Sequence, residues 1–267
     1  MPRKKKKSLS WRIIKGFFVL IGKGFMFIVK LISSKVKIAK KNKQEKKIEE
    51  LRPVAKDYQS LESIKTYSGD INKFEDMLNG SKVGLVIGAS GSGKSAISLR
   101  LMENIHYKFN KQVMALGFKK ENMPRWVKII NDVNEIENDS FVIIDEGGIL
   151  LSSRNSQSSV NKLISEILFI RRHKNIGILF ITQNSSNIEI NTIRQSSYLI
   201  FKKFEMLQKD MERKPIKVIY EKIEKDFNEL DEKHKKKLSY IYSDNFTGFV
   251  LNKLPSYWSD KVSKSFR

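Results

Sequence analysis

Three short runs of apolar residues stand out along the chain, each too short for a helix and each ending in polar or glycine-rich sequence. They are VGLVIG at residues 83–88, FVII at 141–144 and IGILFI at 176–181. Unbroken apolar runs of this length, without polar alternation, are the mark of parallel strands covered on both faces. Between them the period changes to that of a helix. AISLRLMENIHYKF follows the first run, and Leu163, Ile164, Ile167, Leu168 and Phe169 recur at helical spacing before Arg171-Arg172-His173-Lys174. The latter reads as a core-facing crossover helix with a basic end that suits the helix dipole. A charged helix over 216–237 and a hairpin around 240–251 complete the pattern. Strands alternating with helices predict a mainly parallel α/β sheet, with its active face at the carboxyl ends of the strands.

The amino-terminal third follows another rule. Residues 1–50 hold 16 Lys/Arg against 3 Glu, so +13 of the net charge of +22 sits there. Within it, WRIIKGFFVLIGKGFMFIVKLI (11–32) is interrupted by Arg12, Lys15, Lys23 and Lys30. On a helix these four cations fall within an arc of about 80°, opposite Ile14, Phe17, Phe18, Ile21, Phe25, Ile28 and Ile32. Such a stripe predicts a helix lying in a membrane interface, with its lysines near anionic headgroups. A tilted span with snorkelling lysines and a helix packed on protein are the alternatives. Residues 35–80 read as a charged helical linker punctuated by Pro53. The division expected is therefore a membrane-interacting tail over 1–34, a linker over 35–80 and a catalytic domain over 81–267.

Composition narrows the chemistry. With 267 residues, 40% of them hydrophobic, and only 14 Gly and 5 Pro, the chain is neither fibrous nor disordered. It has no cysteine, which excludes disulfides, thiolate zinc sites and a cysteine nucleophile, and fits a reducing, intracellular setting. His106, His173 and His234 lack ligand spacing.

The chemistry is carried by the strand ends. VGLVIG runs into GASGSGKS (88–95) and then a helix, matching G-x-x-x-x-G-K-[ST]. Gly88, Ala89, Ser90, Gly91, Ser92 and Gly93 let successive backbone N–H groups and the helix N-terminus face phosphate oxygens. Lys94 then reaches the β- and γ-phosphates of ATP, and the Ser95 hydroxyl holds Mg2+. The second strand ends in Asp145-Glu146, with Asp145 suited to ordering the magnesium shell and Glu146 to acting as general base. The third ends in Thr182-Gln183. Gln183 either senses the γ-phosphate or merely caps a turn with Asn184 and Ser185. Phosphoryl transfer usually needs one more cation, often from a neighbouring subunit. Arg154, Arg171, Arg172 and Arg194 are candidates, with Arg194 and Arg171 preferred.

Taken together, GASGSGKS, FVIIDEGG, RRHKNIGILFITQNSSNIEINTIRQSSYLIFK and LPSYWSDKVSKSFR resemble the FtsK/HerA superfamily of DNA-pumping ATPases. The nearest branch is that of small genome-packaging and Zot-like ATPases of viruses and mobile elements. The resemblance covers residues 82–202 well and 216–267 loosely. It implies an additional-strand P-loop fold, a ring of six subunits, ATP hydrolysis at subunit interfaces and passage of double-stranded DNA through a pore. Gly93, Lys94 and Ser95 match the phosphate loop, Asp145 and Glu146 the acidic strand end, and Gln183 the polar sensor. The large motor insertions and DNA-reading domain of FtsK are missing. The polar segment 147–159, with Arg154, is either a pore loop that meets DNA phosphates or a surface loop without a ligand.

The expectation is a membrane-tethered ATPase that moves DNA, at the cytoplasmic face of a membrane or associated with a virion. One alternative is a Zot-like phage assembly motor whose cargo includes coat proteins. The other is a membrane scaffold that binds nucleotide and scarcely turns it over.

Overall fold

The computed structural model describes residues 26, 30, 33–145 and 157–263, the side chains of 157–163 excepted. The chain divides into two units, Met1–Leu51 and Arg52–Arg267. In the first, residues 33–51 are helical and almost wholly exposed. Its Lys41–Glu45 pair, 3.9 Å apart and in solvent, contributes little to stability. Most of the expected interfacial helix, and the segment 146–156 with Glu146 and Arg154, lie outside the described residues. No helix among the described residues is long and apolar enough to cross a membrane.

The second unit is built on one nine-stranded sheet. Its strands are β1 (Glu62–Gly69), β2 (Val83–Ile87), β3 (Gln112–Leu116), β4 (Val127–Ile130), β5 (Ser140–Asp145), β6 (Gly177–Thr182), β7 (Tyr198–Phe201), β8 (Leu238–Ser243) and β9 (Phe246–Leu251). They lie in the order β1-β9-β8-β7-β2-β6-β5-β3-β4. The run from β7 to β4 is parallel throughout, and β8, β9 and β1 extend it as an antiparallel flank. The first helices are α1 (Ile71–Met77), α2 (Lys94–Phe109), α3 (Gln157–Ile170) and α4 (Ile190–Gln195); α5 (Met206–Met211), α6 (Lys214–His234) and α7 (Asp260–Ser263) follow.

Every residue of β2, β5, β6 and β7 is buried, because helices cover both faces. Successive side chains point to opposite faces, and the core divides accordingly. Val83, Leu85, Ile87, Val142, Ile144, Ile178 and Phe180 join α3 and α6 on one side. Val86, Phe141, Ile143, Leu179 and Ile181 join α2 on the other. Helix α6 presents Ile216, Tyr220, Ile223 and Phe227 as one apolar stripe, starting with Pro215 in its first turn. Phe169, expected in the core with its neighbours on α3, is 78% exposed, whereas Ile164, Ile167 and Leu168 are buried against the sheet.

The expected linker is helical only as far as residue 51. Beyond it, β1 pairs antiparallel with β9 as the edge strand, and Leu61, Phe74 and Leu78 enter the core. The edge carries Lys65 and two register irregularities, features that discourage further strand pairing.

The strand order matters most for function. Strand β6 is inserted between β2, which leads into the glycine loop, and β5, which ends in Asp145. This is the additional-strand form of the P-loop NTPase fold, with β6 delivering Gln183 between the other two.

Candidate functional site

Strand register brings the three strand ends into one line. Ile87 pairs with Thr182, and Asp145 pairs with Ile181, so the glycine loop, Gln183 and Asp145 leave the sheet along the same edge. Lys94, Ser95, Asp145 and Gln183 all line one cavity of about 830 Å³, a size suited to a nucleotide.

The glycine loop is shaped by its backbone. Gly91 and Gly93 have φ of 69° and 96°, in the left-handed region that disfavours side chains. Gly93 also caps α2, whose first four N–H groups and dipole favour an anion at that end. The loop is fastened at its base, where Ala89 N–H donates to Lys203 O at 3.0 Å and Lys202 N–H to Ile87 O at 2.8 Å. Lys94 is 8% exposed, and its Nζ donates to the carbonyls of Gly88 and Ala89, both at 2.8 Å. A phosphate oxygen in the cradle would compete for that ammonium. Ser95 and Asp145 both line the cavity and carry oxygen atoms of the kind that Mg2+ takes as ligands. No cluster of three or more His, Asp or Glu suited to a metal occurs among the described residues.

Gln183 is exposed on the cavity, and its backbone carbonyl accepts from Gln208 Nε2 on α5. The turn that follows is held by residues with no evident sequence signal. Glu212, buried, accepts from Ser185 N–H at 2.9 Å and from its hydroxyl. Arg213 donates to the carbonyls of Ser185 at 3.0 Å and Ile188 at 2.9 Å. The turn after Gln183 is therefore fixed to the junction of α5 and α6.

The arginine candidates separate. Arg171 is 4% exposed, and its Nη1 donates to Ser81 O at 2.8 Å, at the entry to β2 and thus at the opposite end of the sheet from the phosphate loop. It braces the fold and is not available to a neighbouring subunit. Arg194 is exposed on α4, which leads down to Ser197, bonded to Val83 O at 2.7 Å. It lies outside the cavity of its own chain.

Sequence reasoning missed Lys202. It is fully buried, and its Nζ donates to Lys236 O at 2.7 Å, Leu238 O at 2.5 Å and Ser239 Oγ at 3.1 Å. Burial pushes its amine down to about 7; Asp231 opposes the shift and Lys94 adds to it. A lysine directly after an apolar strand normally reads as solvent-facing, so only the three-dimensional packing reveals it. Asn252, Leu254 and Trp258, also on the cavity wall, come from the carboxy-terminal segment after β9.

No protein-family model matches the sequence, and no curated protein matches it. Among solved structures, the fold is similar to B204, the DNA-packaging ATPase from Sulfolobus turreted icosahedral virus. The two share 17% identity over 66% of this chain and 99% of that one, with a TM-score of 0.42. It is also similar to the pCW3 conjugation coupling protein TcpA, at 14% identity over 70% of this chain and 65% of that one (TM-score 0.43). A third is the cytoplasmic domain of the type VII secretion ATPase EccC of Thermomonospora curvata, at 18% identity over 66% and 25% of the two chains (TM-score 0.42).

Proposed function

We propose that this chain is an ATPase that couples hydrolysis to the movement of double-stranded DNA, working as a ring of identical subunits at a membrane surface. The observation that carries the enzymatic part is the meeting of Lys94, Ser95, Asp145 and Gln183 on one cavity, at the carboxyl edge of an additional-strand sheet.

In this reading the loop amides from Ser90 to Ser95 and the start of α2 bind the triphosphate. Lys94 exchanges the carbonyls of Gly88 and Ala89 for β- and γ-phosphate oxygens. Ser95 and Asp145 hold Mg2+, whose charge would offset that of the phosphate oxygens. Glu146, next in sequence to Asp145, takes the proton of the attacking water. Gln183, whose backbone carbonyl is held by Gln208, orients that water. Arg194 of a neighbouring subunit is the proposed source of the remaining positive charge.

The proposal of DNA as cargo rests on the excess of basic residues and on the sequence resemblance. Phosphate-backbone contact of this kind carries no sequence preference and weakens steeply with salt. The amphipathic residues 11–32 supply the proposed membrane contact. Hydrolysis should rise on adding duplex DNA, more at low salt than at high, and Glu146→Gln should abolish turnover while sparing ATP binding. Hydrolysis indifferent to DNA but responsive to coat protein would move the reading to virion assembly. Equal rates in wild type and Glu146→Gln would remove the general base.

A further inference from the structure

The glycine loop rests on one side chain. Lys202, the first residue after β7, donates its backbone N–H to Ile87 O at 2.8 Å, and its side chain then runs beneath the loop. A Cβ on Gly88 would stand 2.5 Å from Lys202 Cβ, and one on Gly93 would stand 3.4 Å from its Nζ, so both ends of the loop pack on this lysine. Gly93 lines the nucleotide cavity and Lys202 does not; the amine stands just behind the wall. A leucine or methionine would fill the same space without the cost of burying a charge.

The amine sits in a cage that matches both of its protonation states. Its partners are the carbonyl oxygens of Lys236 at 2.7 Å and Leu238 at 2.5 Å and the hydroxyl of Ser239 at 3.1 Å. An ammonium has three N–H donors, one for each oxygen. A neutral amine has two donors and a lone pair; it keeps both carbonyls and accepts from the Ser239 hydroxyl, which turns to donate. Neither state leaves one of these buried carbonyls unmatched, so the proton can come and go in place.

The charges around it leave the balance open. Asp231 of α6 favours the ammonium but is itself paired with Lys203 at 2.8 Å, and Lys94 of α2 disfavours it. Glu205, like Lys203 beyond β7, is exposed, as are Lys235, Lys236 and Lys237 before β8; Ser239 and Tyr240 of β8 are uncharged at neutral pH. Burial is the largest influence and brings the amine down to about 7. Groups driven into this range beside a ligand cavity are candidates for function. A triphosphate in the loop would add several negative charges close by, across protein that screens far less than water.

Resting on the nucleotide-binding reading above, we infer that Lys202 is a second lysine of the phosphate site, acting from behind the loop: it takes up a proton from solvent as the triphosphate binds, favours the phosphates as an ammonium, and returns the proton when they leave. It touches no substrate atom and is a positioning residue.

The sign follows from linkage. From about pH 7.5 to 9.5 the amine is mostly uncharged in the free protein and charged in the complex, so ATP affinity falls as pH rises. Calorimetric titration of the full-length chain with ATP, without Mg2+ so that no turnover occurs, tests this. Wild type should bind ATP roughly fivefold or more tightly at pH 7.5 than at pH 9.5, and titrations near pH 8 in two buffers of different ionisation enthalpy should show uptake of about half a proton or more. Lys202→Met should bind more weakly at pH 7.5 by a similar factor, match wild type at pH 9.5 and lose the uptake. Lys202→Gln, whose amide still donates to the Lys236 and Leu238 carbonyls but does not titrate, should behave alike and serves if Lys202→Met fails to fold. The ligand's own titration is common to all three proteins. A purely structural lysine would give equal losses at both pH values. That result, a wild type that binds ATP without proton uptake, or uptake undiminished in the variants overturns the inference and leaves the phosphate site intact. A wild type that binds ATP at neither pH overturns the nucleotide-binding reading and the inference with it.

Discussion

Lys202 lies directly beneath Gly93. A Cβ on residue 93 would stand 3.3 Å from Lys202 Cε, 3.4 Å from its Nζ and only 2.6 Å from the carbonyl oxygen of Lys236, to which that Nζ donates. The phosphate loop, the end of β7 and the entry to β8 therefore share one buried contact. A lysine there ties the loop to the antiparallel half of the sheet, and its burial makes stability depend on pH.

The direction follows from proton counting. In the unfolded chain a lysine amine titrates near 10.5, whereas burial lowers that of Lys202 to about 7. Between these values the unfolded state binds more protons, so stability rises with pH. Below about 7 both states are charged and the full cost of burying an ammonium is felt; it is relieved as pH rises through 7. Tyrosines whose hydroxyls are raised by burial, such as Tyr220 and Tyr240, act in the opposite sense but only near and above pH 10. The melting temperature should therefore climb from pH 7 to pH 9, and Lys202→Met should flatten the climb. Parallel curves for the two proteins would show that Lys202 does not titrate in this range.

Substitutions in the loop should divide by what surrounds each glycine. Gly91 has nothing within 4 Å of where a Cβ would stand, so Gly91→Ala meets only the unfavourable φ of 69°, about 1 kcal/mol. Gly93→Ala adds the clash with Lys236 O. It should cost about 1–3 kcal/mol or more and reduce ATP affinity far more than Gly91→Ala. Urea unfolding and nucleotide titration of the two variants check this; equal losses would mean that the close approach to Lys236 is of no consequence.

What could be read in the sequence was whatever depends on local pattern. The apolar runs at 83–88, 141–144 and 176–181 became β2, β5 and β6, because fully buried parallel strands have no alternation to blur the signal. The spacing of Lys94 and Ser95 after Gly88 marked the glycine loop that follows β2, because a short motif is a local pattern too. The inserted position of β6 was legible only through family resemblance, since strand order is a long-range property. Hidden altogether were groups whose role comes from burial. Lys202 looks like a surface lysine, Arg171 like a solvent-facing basic helix end, and residues 62–78 like linker, because their few apolar anchors, Leu61, Phe74 and Leu78, are widely spaced.

The two preferred arginines should now behave differently. Arg171→Ala removes the bond to Ser81 O and leaves a part-buried carbonyl without that donor, at about 1 kcal/mol or more. It should lower the melting temperature by several degrees without changing turnover per folded molecule. Arg194→Ala should leave stability and ATP affinity near wild type and lower kcat by at least about tenfold under conditions where the protein is oligomeric. Unchanged kcat in Arg194→Ala would leave the trans charge to Arg172 or Arg154.

The buried pair Arg100–Glu103 offers the strictest test of how the cavity wall is held. The two side chains are 1% and 0% exposed and 3.0 Å apart. Glu103 also accepts from Asp57 N–H and Ser256 N–H, each at 3.0 Å, so one carboxylate ties residues before β1 and after β9 to α2. Removing Glu103 leaves the buried Arg100 with only the partly exposed Asp57, 2.6 Å away, as a counter-charge; breaking a buried pair costs about 3–5 kcal/mol, whereas replacing both members by apolar groups is far milder. Glu103→Leu should therefore shift the urea midpoint strongly, and Arg100→Met with Glu103→Leu should recover much of the loss. Recovery should fall short of complete, because Asp57 and Ser256 still lack their acceptor. A double variant less stable than either single one would show that these backbone ties, and not the charge pair, hold the wall in place.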